Sequence, residues 1–237
     1  MPRFARALAS LNVEPIVARL RRLSLAGHAH WLIQRGHNGR TVFHDEADRL
    51  LYRTALLEAS RQEDVQVHAY ALCDGEAHLL VRPNHPSAVG RLMQALGRRF
   101  VAAHHRRHGG SGTLWEGRYH GAVVEPGATL LDVLTLIEGT ATEPDASSFK
   151  HRGSGTADAL VTELPEYWRL GNTPFERQSQ WLQRVSEGVP AARAQALRAA
   201  AWGGWAVGSA AFASQLSEGA ARPSAPRPRG RPRKPAG

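Results

Sequence analysis

Glu76 and His78 stand two residues apart in the apolar run from Ala77 to Arg82. On a strand, that spacing turns both side chains to one face, where a carboxylate and an imidazole can serve as two ligands of one divalent metal. The same pair also reads as a solvated Glu at a turn beside a half-buried His. The stretch Ser87 to His108 carries Arg91, Arg98, Arg99, Arg106 and Arg107, three His and no acid. As a helix it could lie along a phosphate backbone, or it could be a solvated face. Trp115 and Arg118 sit in the loop that follows and could stack on or clamp unpaired bases, Trp115 being equally suited to anchor a core. Near the end, Pro228-Arg229-Gly230-Arg231-Pro232 places a glycine between two arginines bracketed by prolines. Such a narrow, extended segment fits the floor of an A·T-rich minor groove.

The elements that must position these residues follow from periodicity. Ala29 to Gln34 reads as a strand with Asn38-Gly39 in its exit turn, and His44-Asp45 as the N-cap of a helix over Glu46–Arg61. Val65 to Leu72 alternates, with Val65, Val67, Ala69 and Ala71 expected on one face, and Ala77 to Arg82 returns after the Cys73-Asp74-Gly75 turn. A long helix over Ser87–His108, a strand over Tyr119–Glu125 and a helix over Thr129–Glu138 complete the series. The order β, α, β, β, α, β predicts an α+β fold: a ferredoxin-like antiparallel sheet with helices on one face. We expect an N-terminal extension at 1–22, the main domain at 23–140 and an irregular linker at 141–174. A helical accessory region at 175–219, with Trp181, Trp202 and Trp205, and a disordered basic tail at 220–237 follow.

The chain has 237 residues and a formal net charge of +9. Six of its 30 basic residues fall in the last eighteen, with no acid among them, so the body is nearly neutral and the tail cationic. A polyanion partner, most simply nucleic acid, is implied. The single Cys73 excludes a disulfide framework or a multi-cysteine zinc site. No apolar run approaches the roughly 18–20 residues of a membrane span. Met1 to Arg22 lacks the apolar core of a secretory signal, with a transit peptide as the alternative to an extension. The expected location is cytoplasmic.

Several segments together resemble the REP-associated tyrosine transposases, single-tyrosine bacterial relatives of insertion-sequence transposases within the HUH nuclease group. They are Gln34-Arg35-Gly36-His37-Asn38-Gly39, Val42-Phe43, His68-Ala69-Tyr70-Ala71-Leu72, His78-Leu79-Leu80-Val81, and Gly109 to Gly112 followed by Thr113-Leu114-Trp115-Glu116-Gly117-Arg118-Tyr119. The likeness runs from about residue 23 to 140. Gly171-Asn172-Thr173-Pro174-Phe175-Glu176-Arg177 resembles the later part of some members, and Arg229-Gly230-Arg231-Pro232 resembles an AT-hook. The resemblance implies hairpin or single-stranded DNA as partner, a Mg²⁺ or Mn²⁺ cofactor held by His-x-His, and a tyrosine that attacks the phosphate to leave a 5′-phosphotyrosine.

Two positions depart from that pattern. The family's His-x-His stands here as Glu76-Ala77-His78, and its nucleophilic Tyr aligns with Phe100. His104, one turn beyond Phe100, is the expected third metal ligand. The family's Leu-Asn-Pro turn is replaced by Gly139-Thr140-Ala141-Thr142. The expected function is DNA binding in transposition with strand cleavage impaired, Arg98, Arg99, Arg106, Arg107, Trp115 and Arg118 holding DNA. An active metal-dependent endonuclease using a water or Tyr119 is the alternative, and a ferredoxin-like domain without nucleic acid is a third. A homodimer is left open.

Overall fold

The computed structural model describes residues 22–141, 143–219 and 223–226. Its sheet is built from β1 (His30–Arg35), β2 (Val65–Cys73), β3 (Glu76–Pro83) and β4 (His120–Val123) in the order β2-β3-β1-β4. Every pairing within it is antiparallel. Between the strands run α1 (Glu46–Gln62) and α2 (Ala88–His108), which gives the expected ferredoxin-like arrangement.

Local chemistry sets the boundaries. Asp45 caps α1 by accepting from the Asp48 N–H, and Gly109, at φ 65°, ends α2 in the left-handed conformation. The β2–β3 hairpin closes with Cys73 opposite Glu76. A side chain at Gly36 is excluded, because its Cβ would stand 2.2 Å from the Arg40 carbonyl oxygen.

One expectation about β2 fails. Its register shifts between Val67 and Ala69, so Val65 and Val67 share a face with Tyr70 and Leu72, and Ala69 and Ala71 turn the other way. A bulge inserts one residue and reverses the alternation beyond it.

On one side of the sheet, Leu32, Leu72, Leu79 and Val81 pack against Tyr52 and Leu56 of α1 and Leu92, Leu96 and Phe100 of α2. The other side is covered as well. There, Trp31, Ile33, Leu80 and Ala122 meet α3 (Ala128–Glu138), α6 (Pro174–Glu187) and α7 (Ala191–Gly203) through Val133, Ile137, Trp181 and Leu197. Residues 141–174, expected as an irregular linker, hold α4 (Phe149–Gly153) and α5 (Pro165–Trp168). Within this stretch Arg152 is buried. It pairs with Glu138 of α3, donates to the His68 carbonyl at 2.8 Å and meets Glu163 at 2.9 Å. Past α7 the chain adds Val207 beside Val124 and then α8 (Ala210–Gly219), where Ser209 donates to Glu125 at 2.7 Å. Among the described residues, no helix is long and apolar enough to cross a membrane.

Candidate nucleic-acid interface

β3 carries Glu76 and His78 on the face that meets α7, as their spacing requires. His78 Nε2 lies 3.2 Å from Glu76 Oε2, and Arg35, directly opposite Glu76 on β1, donates its Nε–H to Oε1 at 2.6 Å. The His78 hydrogen bond and the Arg35 guanidinium hold the Glu76 carboxyl at a pKa of about 2, against the burial that opposes them. His78 is buried, and its Nδ1 has no hydrogen-bond partner among the described residues.

Above this pair, α7 contributes Arg198 and Trp202, which with Ile33 and Arg35 enclose an open cleft of about 760 Å³. Trp202 also borders the neighbouring hollow formed by Arg22 and the segment Glu116–Gly121. Its ring meets two partners: the His120 imidazole stacks at 3.9 Å, and the Arg35 guanidinium lies 4.4 Å from the ring centre. Along the two hollows, four guanidiniums (Arg22, Arg35, Arg118, Arg198) face two carboxylates (Glu76, Glu116). Arg35, Arg198, Trp202 and His120 were missed by the sequence reading, although the charge and exposure of Arg35 beside a turn could have suggested it.

Phe100 does not stand beside this cleft. Its ring is 1% exposed and packs 5.6 Å from Phe43, 5.1 Å from Tyr52 and 6.0 Å from Trp115, on the opposite side of the sheet. No group at position 100 could reach a phosphate held at Glu76 and His78, so the nucleophile position assigned there is corrected. His104 follows it: facing the same side, its Nε2 donates to the Val42 carbonyl at 3.0 Å, and it cannot complete a set with Glu76 and His78. Its neighbours are His44, Asp48 and His108, a group whose ligand atoms lie within 4.8 Å of one another. The i, i+4 spacing within each pair was the available signal.

Trp115 is 6% exposed inside the Phe43–Tyr52–Phe100 cluster, so it anchors the core and cannot stack on bases. The arginines of α2 are likewise not gathered at the cleft. Arg99 pairs with Glu58 at 3.2 Å and Arg107 with Asp45 and Asp48, whereas Arg98 and Arg106 are exposed on the far side. Arg118 is exposed at the adjoining hollow. The tail residues Arg229, Gly230, Arg231 and Pro232 lie outside the described residues.

None of the four tyrosines lines the Glu76–His78 cleft. Tyr52 and Tyr70 belong to the core under α1 and α2, and Tyr167 packs on Trp181. Tyr119 borders the adjoining hollow beneath the Arg22 guanidinium, 3.9 Å from its ring centre, and burial raises its pKa. A phenol harder to ionise than usual is a poor nucleophile.

Glu76 and His78 do not fit a Mg²⁺ or Mn²⁺ centre. They supply two ligands, the carboxylate is already bound to Arg35, and Arg198 brings a second positive charge to the same cleft.

No protein-family model matches the chain, and no curated protein is significantly similar to it. Among solved structures, one described as the REP-associated tyrosine transposase bound to a REP hairpin is similar at 14% identity and a TM-score of 0.48, over 63% of this chain and 96% of that one. A putative transposase from Deinococcus radiodurans is similar at 23% identity and a TM-score of 0.35, over 53% of this chain and 96% of that one. At these scores the backbones differ too much to transfer residue roles, which rest on this chain's own geometry.

Proposed function

We propose that this protein binds hairpin or single-stranded DNA along the paired hollows around Trp202, and that it does not cut DNA through a tyrosine. The sequence resemblance supports the DNA partner. The observation that carries the reading is the cleft itself: cationic side chains surround Trp202 and no phenol lines the Glu76–His78 face. Backbone phosphates would meet Arg22, Arg118 and Arg198 at the rim, while Glu76 and Trp202 both hold Arg35. Such contacts give affinity that falls steeply with salt and carry no sequence information themselves. No step of this reading passes through a metal. A Mg²⁺ or Mn²⁺ at Glu76 would first require Arg35 to leave the carboxylate. The Arg-Gly-Arg-Pro tail adds a second, duplex-binding contact in an A·T-rich minor groove.

The test is fluorescence anisotropy of a labelled palindromic hairpin between 50 and 200 mM salt, with a parallel gel for covalent adducts in Mn²⁺. Salt-sensitive binding without an adduct is expected. Absence of binding at the lowest salt overturns the DNA reading. A protein–DNA adduct overturns the non-cutting half alone.

A further inference from the structure

On the far side of the sheet, the start of α1 meets the end of α2. His44 precedes α1 and Asp48 lies in its first turn; His104 and His108 occupy successive turns near the end of α2. Their four ligand atoms all fall within 4.8 Å of one another. The three imidazoles are crowded, with ring centres 4.7 Å apart for His44 and His108, 4.5 Å for His104 and His108, and 5.9 Å for His44 and His104. Nothing in the DNA-binding reading uses them.

We propose that His44, Asp48, His104 and His108 form a zinc site that clips the first turn of α1 to the last turns of α2.

The hydrogen bonding prepares the ligands. His104 is 5% exposed, and its Nε2 is committed to the Val42 carbonyl as donor. That fixes the tautomer and leaves Nδ1 as a bare lone pair, and this buried Nδ1 has no partner among the described residues. A metal-ligating imidazole commonly has its other ring nitrogen anchored to a carbonyl in this way. Asp48 is fully buried, yet its carboxylate is in place: it accepts from the His44 N–H at 2.9 Å and from Arg107 at 2.6 Å. His108 Nε2 lies 2.9 Å and 3.0 Å from the two Asp48 oxygens, so a metal would take the position of the proton between them. Among the described residues no hydrogen bond ties the His44 ring, which is exposed and can turn inward.

The donor set selects the metal. Three neutral imidazoles and one carboxylate make a four-coordinate nitrogen-rich set suited to Zn²⁺, whereas Mg²⁺ and Ca²⁺ prefer oxygen throughout. Two histidines at i and i+4 on one helix face supply paired ligands, as in helical zinc motifs. Charge also permits it. The Arg107 guanidinium, which touches Asp48 at 2.6 Å and His108 Nε2 at 3.2 Å, is shared with Asp45 at 2.5 and 2.9 Å, so Asp45 offsets part of its charge beside the site. His44 and His108 face solvent and give the ion a way in.

Because the ion would join two segments about sixty residues apart, its loss should loosen their contact. The experiment is dialysis of the full chain against Zn²⁺, metal analysis, competition with a chromogenic chelator and thermal unfolding with and without EDTA. One zinc per chain and a lower unfolding midpoint after EDTA are expected. His44→Ala and His108→Ala, both at exposed positions, should each weaken binding at least about tenfold, while His85→Ala, an exposed imidazole elsewhere, should not. Co²⁺ in place of zinc should give tetrahedral absorption bands that His108→Ala loses. A zinc content near zero, or equal affinity of the His44 and His108 variants and the parent, overturns the proposal.

Discussion

His78 and Phe100 lie on opposite faces of one sheet. The His78 ring packs 6.1 Å from Trp31 toward α7, and the Phe100 ring 5.6 Å from Phe43 under α2. The two positions that the resemblance joins into one active site are therefore separated by the thickness of the sheet. A chemically conservative change at one cannot influence the chemistry of the other.

Phe100→Tyr tests this separation. It should give no phosphotyrosine adduct with a labelled hairpin in Mn²⁺. Adding a hydroxyl to a closely packed ring cluster, where it has no assigned partner, should cost about 1–3 kcal/mol, read as a lower urea midpoint. An adduct in this variant contradicts the placement.

Arginines on the two sides of the sheet should behave differently toward DNA. Arg118→Ala with Arg198→Ala should weaken hairpin binding and reduce the salt slope by about one for each lost phosphate contact. Arg98→Ala with Arg106→Ala, on the far face, should leave hairpin affinity within about twofold. Anisotropy titrations at several salt concentrations separate the two cases, and a reversed order removes the cleft as the interface.

Deletion of residues 222–237 removes Arg222, Arg227, Arg229, Arg231, Arg233 and Lys234. A·T-rich duplex binding should weaken and its salt dependence flatten, while a G·C-rich duplex, poor in minor-groove potential, should be affected less. Equal loss on both duplexes would mark the tail as a plain cationic extension.

Acid should destabilise the fold in two windows. Burial lowers the pKa of His30 and of His68 from 6.5 to about 4. Each is neutral in the fold, and in His30 both ring nitrogens are engaged, with Nδ1 donating to the His28 carbonyl and Nε2 accepting from the Leu25 N–H. The unfolded chain takes up these protons first, so stability should fall as pH drops from 6.5 toward 4, by about 1.4 kcal/mol per unit for each residue. Glu76 acts lower: its pKa is depressed from 4.5 to about 2, so its contribution is present above 4.5 and is lost as pH falls toward 2. Urea midpoints from pH 7 to 3 measure both windows. A flat profile between 6.5 and 4 contradicts the neutral buried histidines, and Glu76→Gln should reduce only the lower loss.

Arg152→Ala should cost about 3–5 kcal/mol, because it leaves Glu138 buried without its cation. Glu138 also accepts from Ser148 at 2.6 Å and from Trp181 at 3.0 Å, so the loss should spread to the segment around α4. Thermal unfolding and limited proteolysis near residues 147–163 report it. Wild-type resistance in the variant would mean that the pair is dispensable.

Periodicity located the sheet and its first two helices well, because strands and helices that bury one face against a single layer carry regular patterns. The expected long helix over Ser87–His108 and the observed Ala88–His108 nearly coincide. The alternation of β2 misled beyond Val67, since a bulge leaves no mark in residue type. The cover over the second face was illegible for another reason. α7 is alanine-rich, with only Leu197 and Ala201 buried, and its contribution to the cleft comes from the polar side chains Arg198 and Gln195 beside Trp202. The side of the sheet that Phe100 faces is not legible in linear spacing, because the helical period of α2 marks which stripe is buried and not which strand faces share that layer. Trp115 stood undecided between core anchor and base-stacking platform, because it lies between the apolar Leu114 and the charged Glu116.

A sheet enclosed between two helical layers has a mutational consequence. Changes in β1 or β3 reach the packed interior and are removed by selection for folding, whereas the segment 116–121 and the outer turns of α7 border solvent. Preference for one ligand over another is therefore free to evolve at the margin of this molecule while its centre stays fixed.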